Sequence, residues 1–259
     1  MTLFDYLKTI VLLTIIIYAA PTVIEGIKTH YIPLLEPRTH IGIIHIKETL
    51  ASSYHHVAEL HAFFKNPHIK GIVLKINCSG GAPGTMQTIF HEIRHLKKEF
   101  PKPTIALIEN VCIAGGYLIA SACDYIIAPE SAIIGNIGSD FLNAHHYKSI
   151  IESYATTADD EKNIISNLCN DAYQQLTKQI AAARKLSLTT TANWADGKIF
   201  TGHQAFSFGL INEIGSMCTV IKIIKEKALI EGEIEWIENK EKCHFKDFIS
   251  ISSLAANTQ

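Results

Sequence analysis

The stretch Gly71-Ile-Val-Leu-Lys-Ile76, Asn77-Cys-Ser-Gly-Gly-Ala-Pro-Gly84, Thr85 to Phe100 decides the fold class. A six-residue run dense in β-branched residues reads as a buried strand. The glycine-rich segment that follows cannot continue it. Met86, Ile89, Phe90, Ile93 and Phe100 then recur at helical spacing. Strand, glycine turn and helix in that order form half of a parallel crossover unit, which needs a second strand beside the first.

That second strand and others are legible on both sides. Upstream, Ile41-Gly-Ile-Ile-His-Ile46 reads as a strand and Tyr54 to Phe64 as a helix with Val57, Leu60 and Phe64 on one face. Downstream, Pro103 introduces the strand Thr104 to Ile108. A second glycine turn, Ala114-Gly-Gly116, opens the helix Tyr117 to Cys123, and Tyr125-Ile-Ile-Ala128 is a further strand. A long helix is expected from about Asp160 to Lys185, with Ile164, Leu168, Ala172, Leu176 and Ile180 at every fourth position. Asn193 to Gly215 reads as a compact turn–helix–strand unit, Glu233-Ile-Glu-Trp-Ile237 as a late strand, and Phe245 to Leu254 as an end helix. The expected class is α/β, with a parallel sheet covered by helices and the glycine turns at the carboxyl ends of strands, where such sheets place their sites.

Composition narrows the function. The chain has 259 residues, 47% of them apolar and 19% charged, enough for a sizeable core. Its net charge of −2 offers no basic excess for phosphates, so nucleic acid is not an expected partner. The 6 cysteines, at 78, 112, 123, 169, 218 and 243, form no CxxC pair and signal neither a zinc ribbon nor a disulfide framework.

At the amino terminus, Thr9 to Ile24 is a run of 16 uncharged residues. As a helix it spans roughly 24 Å, against the ~30 Å of a hydrocarbon core. Tyr6, Tyr18 and a snorkelling Lys8 could extend it. A cleaved leader or a buried helix are the other readings, although Pro21 directly after Ala20 makes a poor cleavage site. The expected organisation is a membrane anchor over 1–25, a linker over 26–39 containing Pro33 and Pro37, and one domain over 40–259.

The order of the motifs carries a resemblance. Ile76-Asn-Cys-Ser-Gly-Gly81 resembles the I-N-S-P-G-G loop of the signal peptide peptidase A family of serine peptidases. Val111-Cys-Ile-Ala-Gly-Gly-Tyr-Leu118 is similar to that family's nucleophile turn, V-A-A-S-G-G-Y-Y. Ala195-Asp-Gly-Lys-Ile-Phe-Thr-Gly-His-Gln-Ala205 with Gly209-Leu-Ile-Asn-Glu-Ile-Gly215 resembles its A-D-G-R-x-x-T-G-x-Q-A…G-L-V-D-E-x-G segment.

The resemblance implies a ClpP/crotonase-like fold of repeated ββα/βαβ units and a membrane-anchored, self-associating Ser-Lys peptidase. It implies action on, or binding of, signal peptides or other hydrophobic peptides at the bacterial inner membrane, with no cofactor or metal expected. Such chemistry needs a hydroxyl, a neutral Lys to take its proton, and backbone amides aimed at the developing oxyanion. Ser79, Gly80, Gly81, Gly115 and Gly116 occupy the oxyanion and substrate-binding positions. The nucleophile position holds Ala114, which implies an inactive peptidase. Tyr147-Lys148-Ser149-Ile-Ile-Glu152 resembles the family's Y-K-S-x-x-E segment and makes Lys148 the base position, with Lys162 the fallback. The family usually has a longer stretch between its G-S-I-G turn, here Gly135-Asn-Ile-Gly138, and that Lys.

Three signals compete. Cys112 and Ser121 are thiol or hydroxyl neighbours of Ala114 in sequence, the expected substitutes if the chain is active. His91-Glu-Ile-Arg-His95 spells the zinc-peptidase pattern, but both histidines fall on the helix face opposite the apolar stripe and no third ligand follows. Ser121 to Ala132 with Gly135 also resembles crotonase enzymes that stabilise acyl-CoA enolates, in which Ala114 would be no defect.

Overall fold

The computed structural model describes residues 3–35, 38–138, 154, 155 and 157–238. Residues 1–39 with 232–234 form one compact unit, and the rest of the chain from His40 forms the other.

The first unit is dominated by helix α1 (Leu3–Leu35). It continues beyond residue 25, where a linker is expected, and carries Pro33 within it. Ile10, Val11, Leu13, Ile15, Ile16, Ile17, Val23 and Ile24 are each more than half exposed. Among the described residues no helix is long and apolar enough to cross a membrane. The anchor expected over 1–25 therefore has no support as a spanning segment, consistent with an uncharged run shorter than the ~20 residues a span requires.

The second unit alternates strand and helix as expected: β1 (Thr39–Leu50), α2 (Tyr54–Lys65), β2 (Ile69–Gly81), α3 (Pro83–Glu99), β3 (Thr104–Ile113), α4 (Gly115–Ser121) and β4 (Tyr125–Ala128). Then come β5 (Ile133–Gly135), the long helix α5 (Ala158–Arg184), β6 (Ile199–Thr201), α6 (Gly202–Ser207), β7 (Glu213–Ile214), α7 (Met217–Ala228) and β8 (Ile234–Glu238). The sheet order is β6-β5-β3-β2-β1-β8, with β4 joining β3 to β7. The β1–β2, β2–β3, β3–β4, β3–β5 and β4–β7 pairs are parallel, whereas β5–β6 is antiparallel.

The core lies between the sheet and helices α2, α3, α4 and α5. Ile44, Ile46, Leu74, Ile76, Cys78, Ile108 and Cys112 project from the strands to meet Phe64, Phe90, Ile93, Leu118, Leu176 and Ile180. Gly42 admits the Phe63 ring against β1, since a Cβ there would stand within 3.0 Å of ring carbons. The Thr-Gly-His-Gln motif at 201–204 has a local cause. It is a capping box in which the Thr201 hydroxyl accepts from the Gln204 amide and the Gln204 side chain accepts from the Thr201 amide.

One buried carboxyl lies away from the glycine turns. Burial of Glu59 on α2, with Glu238 nearby, pushes its pKa up to about 7, while burial holds His56 on the same helix at about 4. The folded state therefore keeps a proton on Glu59 that the unfolded chain releases near 4.5. That stabilising contribution is complete below the unfolded value and is lost as pH rises through about 7. His56 acts oppositely: its contribution is present above 6.5 and is lost as pH falls towards 4. Replacing Glu59→Gln should raise Tm at pH 8 and leave it nearly unchanged at pH 5, measured by thermal melts followed by circular dichroism.

Candidate active site

Parallel pairing brings the two glycine turns together. Cys78 on β2 sits opposite Cys112 on β3, so the residues after each, Ser79-Gly80-Gly81 and Ile113-Ala114-Gly115, leave the sheet side by side. A methyl placed on Gly80 would stand 3.5 Å from the Ala114 Cβ and 3.7 Å from the Gly115 amide nitrogen. A Cβ on Gly116 would come within 2.7 Å of the Cys78 carbonyl oxygen. On Gly81 it would collide with the Leu50 carbonyl, and on Gly115 with the Met86 side chain, which α3 inserts beneath both turns. Glycine is required here by close approach as well as by the positive φ of 116° at Gly80 and 155° at Gly81.

Ala114 is the junction. It has φ 49° and ψ −122°, a backbone state costly for any residue with a Cβ, about 1–3 kcal/mol. Its surroundings enforce it. The Ala114 amide donates to the Gly135 carbonyl at 2.8 Å, and its own carbonyl accepts from Tyr117 and Leu118 at 3.1 and 3.2 Å. The chain thus turns sharply from strand into helix, and the Ala114 methyl at the apex packs with the core cluster, 9% exposed.

The expected oxyanion donors divide. The Gly80 amide donates to Cys78 Sγ at 3.4 Å and the Cys78 thiol donates to the Gly80 carbonyl at 3.3 Å, so Gly80 serves the turn itself. Gly115 and Gly116 carry the first amides of α4, which have no acceptor within their helix. Ser79 is exposed at the rim and hydrogen-bonded to Thr49 at 3.0 Å.

Beside the turn lies an apolar surface that sequence reading missed. Cys112, Ile134 and Phe200 are in register and face the core. Strand alternation therefore sends Val111, Ile113, Ile133 and Ile199 to the opposite face, where Ile133 and Ile199 are 40% and 60% exposed. The signal lay in the short runs Ile133-Ile-Gly135 and Ile199-Phe-Thr201, too brief for a periodicity to show.

The remaining expectations separate cleanly. Lys148 and its Tyr147–Glu152 segment lie outside the described residues. Lys162 is near the start of α5, about 21 Å along the helix axis from Leu176, where α5 enters the core. Ser121 is buried and donates to the Leu118 carbonyl at 2.7 Å. Burial pushes the Cys112 thiol well above its usual range. Both side chains are buried in the core. In the H-E-x-x-H segment, Glu92 pairs with His61 at 3.0 Å, His95 with Glu99 at 3.2 Å, and His91 meets Gln179 at 3.3 Å. Among the described residues no group of three or more His, Cys, Asp or Glu could hold a metal ion.

The two segments flanking the turn also meet. Asn136 donates to the Lys198 carbonyl at 2.7 Å and Gly197 donates to the Ile137 carbonyl at 3.0 Å, which joins Gly135-Asn-Ile-Gly138 to Ala195-Asp-Gly-Lys198. The sequence model of Peptidase family S49 matches residues 96–141 and 136–231, together more than half of the chain. The chain belongs to peptidase family S49. It is similar to "Putative protease MJ0651" of Methanocaldococcus jannaschii, 27% identical over 186 residues that cover 65% of this chain and 59% of that protein. It is also similar to Protease 4 of Haemophilus influenzae, 24% identical over 215 residues, 74% of this chain and 35% of that one. The chloroplastic Serine protease SPPA of Arabidopsis thaliana is 25% identical over 193 residues, 67% and 28% of the respective chains. The chain thus spans between about a quarter and three fifths of the length of these curated relatives. Among solved structures, a ClpP1 point mutant from Listeria monocytogenes aligns with TM-score 0.49 and 15% identity over 67% of this chain and 91% of that one.

Close packing of the turns sets an expectation for stability. Gly81→Ala should destabilise the S49 domain by at least about 2 kcal/mol, because its Cβ meets strand backbone at a φ that side chains avoid. Gly84→Ala, on α3 with nothing within 4 Å, should be neutral or stabilising by about 0.5–1 kcal/mol. Urea unfolding of the two variants distinguishes them.

Proposed function

We propose that this chain is an S49-type peptidase domain that binds apolar peptide segments in the groove beside Ala114 and does not cleave them. One observation carries the reading: the apex of the strand-to-helix turn, packed against Gly80, holds an alanine. A methyl has neither lone pair nor proton to transfer, and loss of a catalytic serine elsewhere costs about 10⁶ in kcat. The buried Ser121 and Cys112 supply no substitute. The first amides of α4 and the Val111, Ile113, Ile133 and Ile199 surface support binding of an extended apolar segment. Membership of the S49 family supports a peptide over the acyl-CoA alternative.

The same reading includes attachment to a membrane, supported by the exposed Ile, Leu and Val side chains of α1, and self-association, which rests on the family resemblance alone. Lys148 remains the proposed base position, with Lys162 the weaker one.

The experiment is a single added oxygen. The native chain should not react with a fluorophosphonate probe, and Ala114→Ser should become labelled and cleave an unstructured apolar peptide. Cleavage by the native chain that survives further mutation at 114 would overturn the proposal. For α1, the full chain should float with liposomes while a chain starting at residue 38 should not.

A further inference from the structure

We infer that Thr49 is a peptide-binding residue which, paired with the hydroxyl of Ser79, already a substrate-binding position by the resemblance, holds the main chain of a bound peptide at the rim of the groove. The inference rests on the peptide-binding reading above and adds the polar contacts that the apolar surface lacks.

It starts from the register of β1 and β2. Pairing is regular from Ile41 opposite Gly71 to Glu48 opposite Cys78, then slips by one, so that Thr49 faces Gly80 and Leu50 faces Gly81. Ser79 is the extra residue of this bulge, and bulges beside sites re-aim side chains. On the opposite strand, Glu48 takes φ 60°, a left-handed state that a glutamate adopts only where its surroundings require it. The two distortions converge on one contact: Thr49 Oγ1 and Ser79 Oγ lie 3.0 Å apart. Both residues are exposed.

The position of this contact gives it a role. Thr49 is paired with Gly80, the residue packed against Ala114, and Ser79 is its chain neighbour. The hydroxyls therefore flank the turn on the β1 side, while Val111, Ile113, Ile133 and Ile199 lie on the β3, β5 and β6 side. Each hydroxyl offers one proton and two lone pairs. Their mutual bond uses one proton and one lone pair, leaving one O–H and three lone pairs for a ligand. A group that both donates and accepts, and that occurs at every residue whatever its side chain, is the peptide amide. The arrangement suits a peptide whose side chains are chosen by the apolar surface and whose backbone is held by hydroxyls.

The test uses the full chain and a fluorescein-labelled, unstructured peptide rich in Ala and Leu, with binding read by fluorescence anisotropy. Thr49→Val, which keeps the shape, and Ser79→Ala should each weaken binding about three- to tenfold, the range for loss of one hydrogen bond. Thr49→Ser should bind as the native chain does, and circular dichroism and Tm should be unchanged, since both side chains are exposed. In the Ala114→Ser background the same changes should raise KM more than they lower kcat. Native-like affinity of both Thr49→Val and Ser79→Ala would overturn this inference alone. A native chain that binds no peptide would overturn the peptide-binding reading together with it.

Discussion

The register of β2 against β3 is the constraint on which the remaining geometry depends. Because Cys78 lies opposite Cys112, the two strands end at the same height and their turns are forced into contact. Gly116 then meets the Cys78 carbonyl, Gly80 meets Ala114, and Met86 fills the space beneath. A slip of one residue would reverse every side chain of β2 and move Cys78 and Ile76 from the core to the open face. The same register leaves one sheet face apolar and buried and the other free beside the turn. Core packing and the apolar face beside the turn are thus consequences of a single alignment.

Sequence reading reaches the framework because the framework is periodic. The strand at 71–76, the helix at 85–100 and the long helix near 160–185 each repeat apolar residues over enough positions to declare a period. Their observed bounds differ mainly at the glycine turns, where β2 runs on through Gly81 and β3 through Ile113. Gly80 and Gly81 read as loop because glycine lacks strand propensity, yet β2 continues through them because Thr49 and Leu50 of β1 pair with both. The strands at 133–135 and 199–201 are only 3 residues long, and α7 escapes notice because its buried positions, Val220, Ile223 and Ile224, cover little more than one turn.

Candidate site residues are legible to the extent that glycine reports geometry. Two Gly-Gly pairs announce two tight turns, but nothing in a linear pattern says that they touch. The amide of Gly80 turns inward to the Cys78 sulfur, a contact that depends on cysteine occupying position 78. The hydroxyl pair of Thr49 and Ser79 is equally hidden, because 30 residues separate its members and only the bulge brings them together. Long-range register determines the site, and single-chain periodicity does not encode it.

Alanine at position 114 separates two properties that a serine would combine. A turn whose strain served only the reactive hydroxyl would have no reason to persist once the oxygen was absent, and glycine would relieve it at no steric cost. Here the backbone is held from both sides, by the Gly135 carbonyl accepting from its amide and by two α4 amides donating to its carbonyl. The strain therefore belongs to the strand-to-helix transition and to the packing of Gly80 and Gly116 against it. Such a turn holds its backbone amides in place independently of chemistry at the apex.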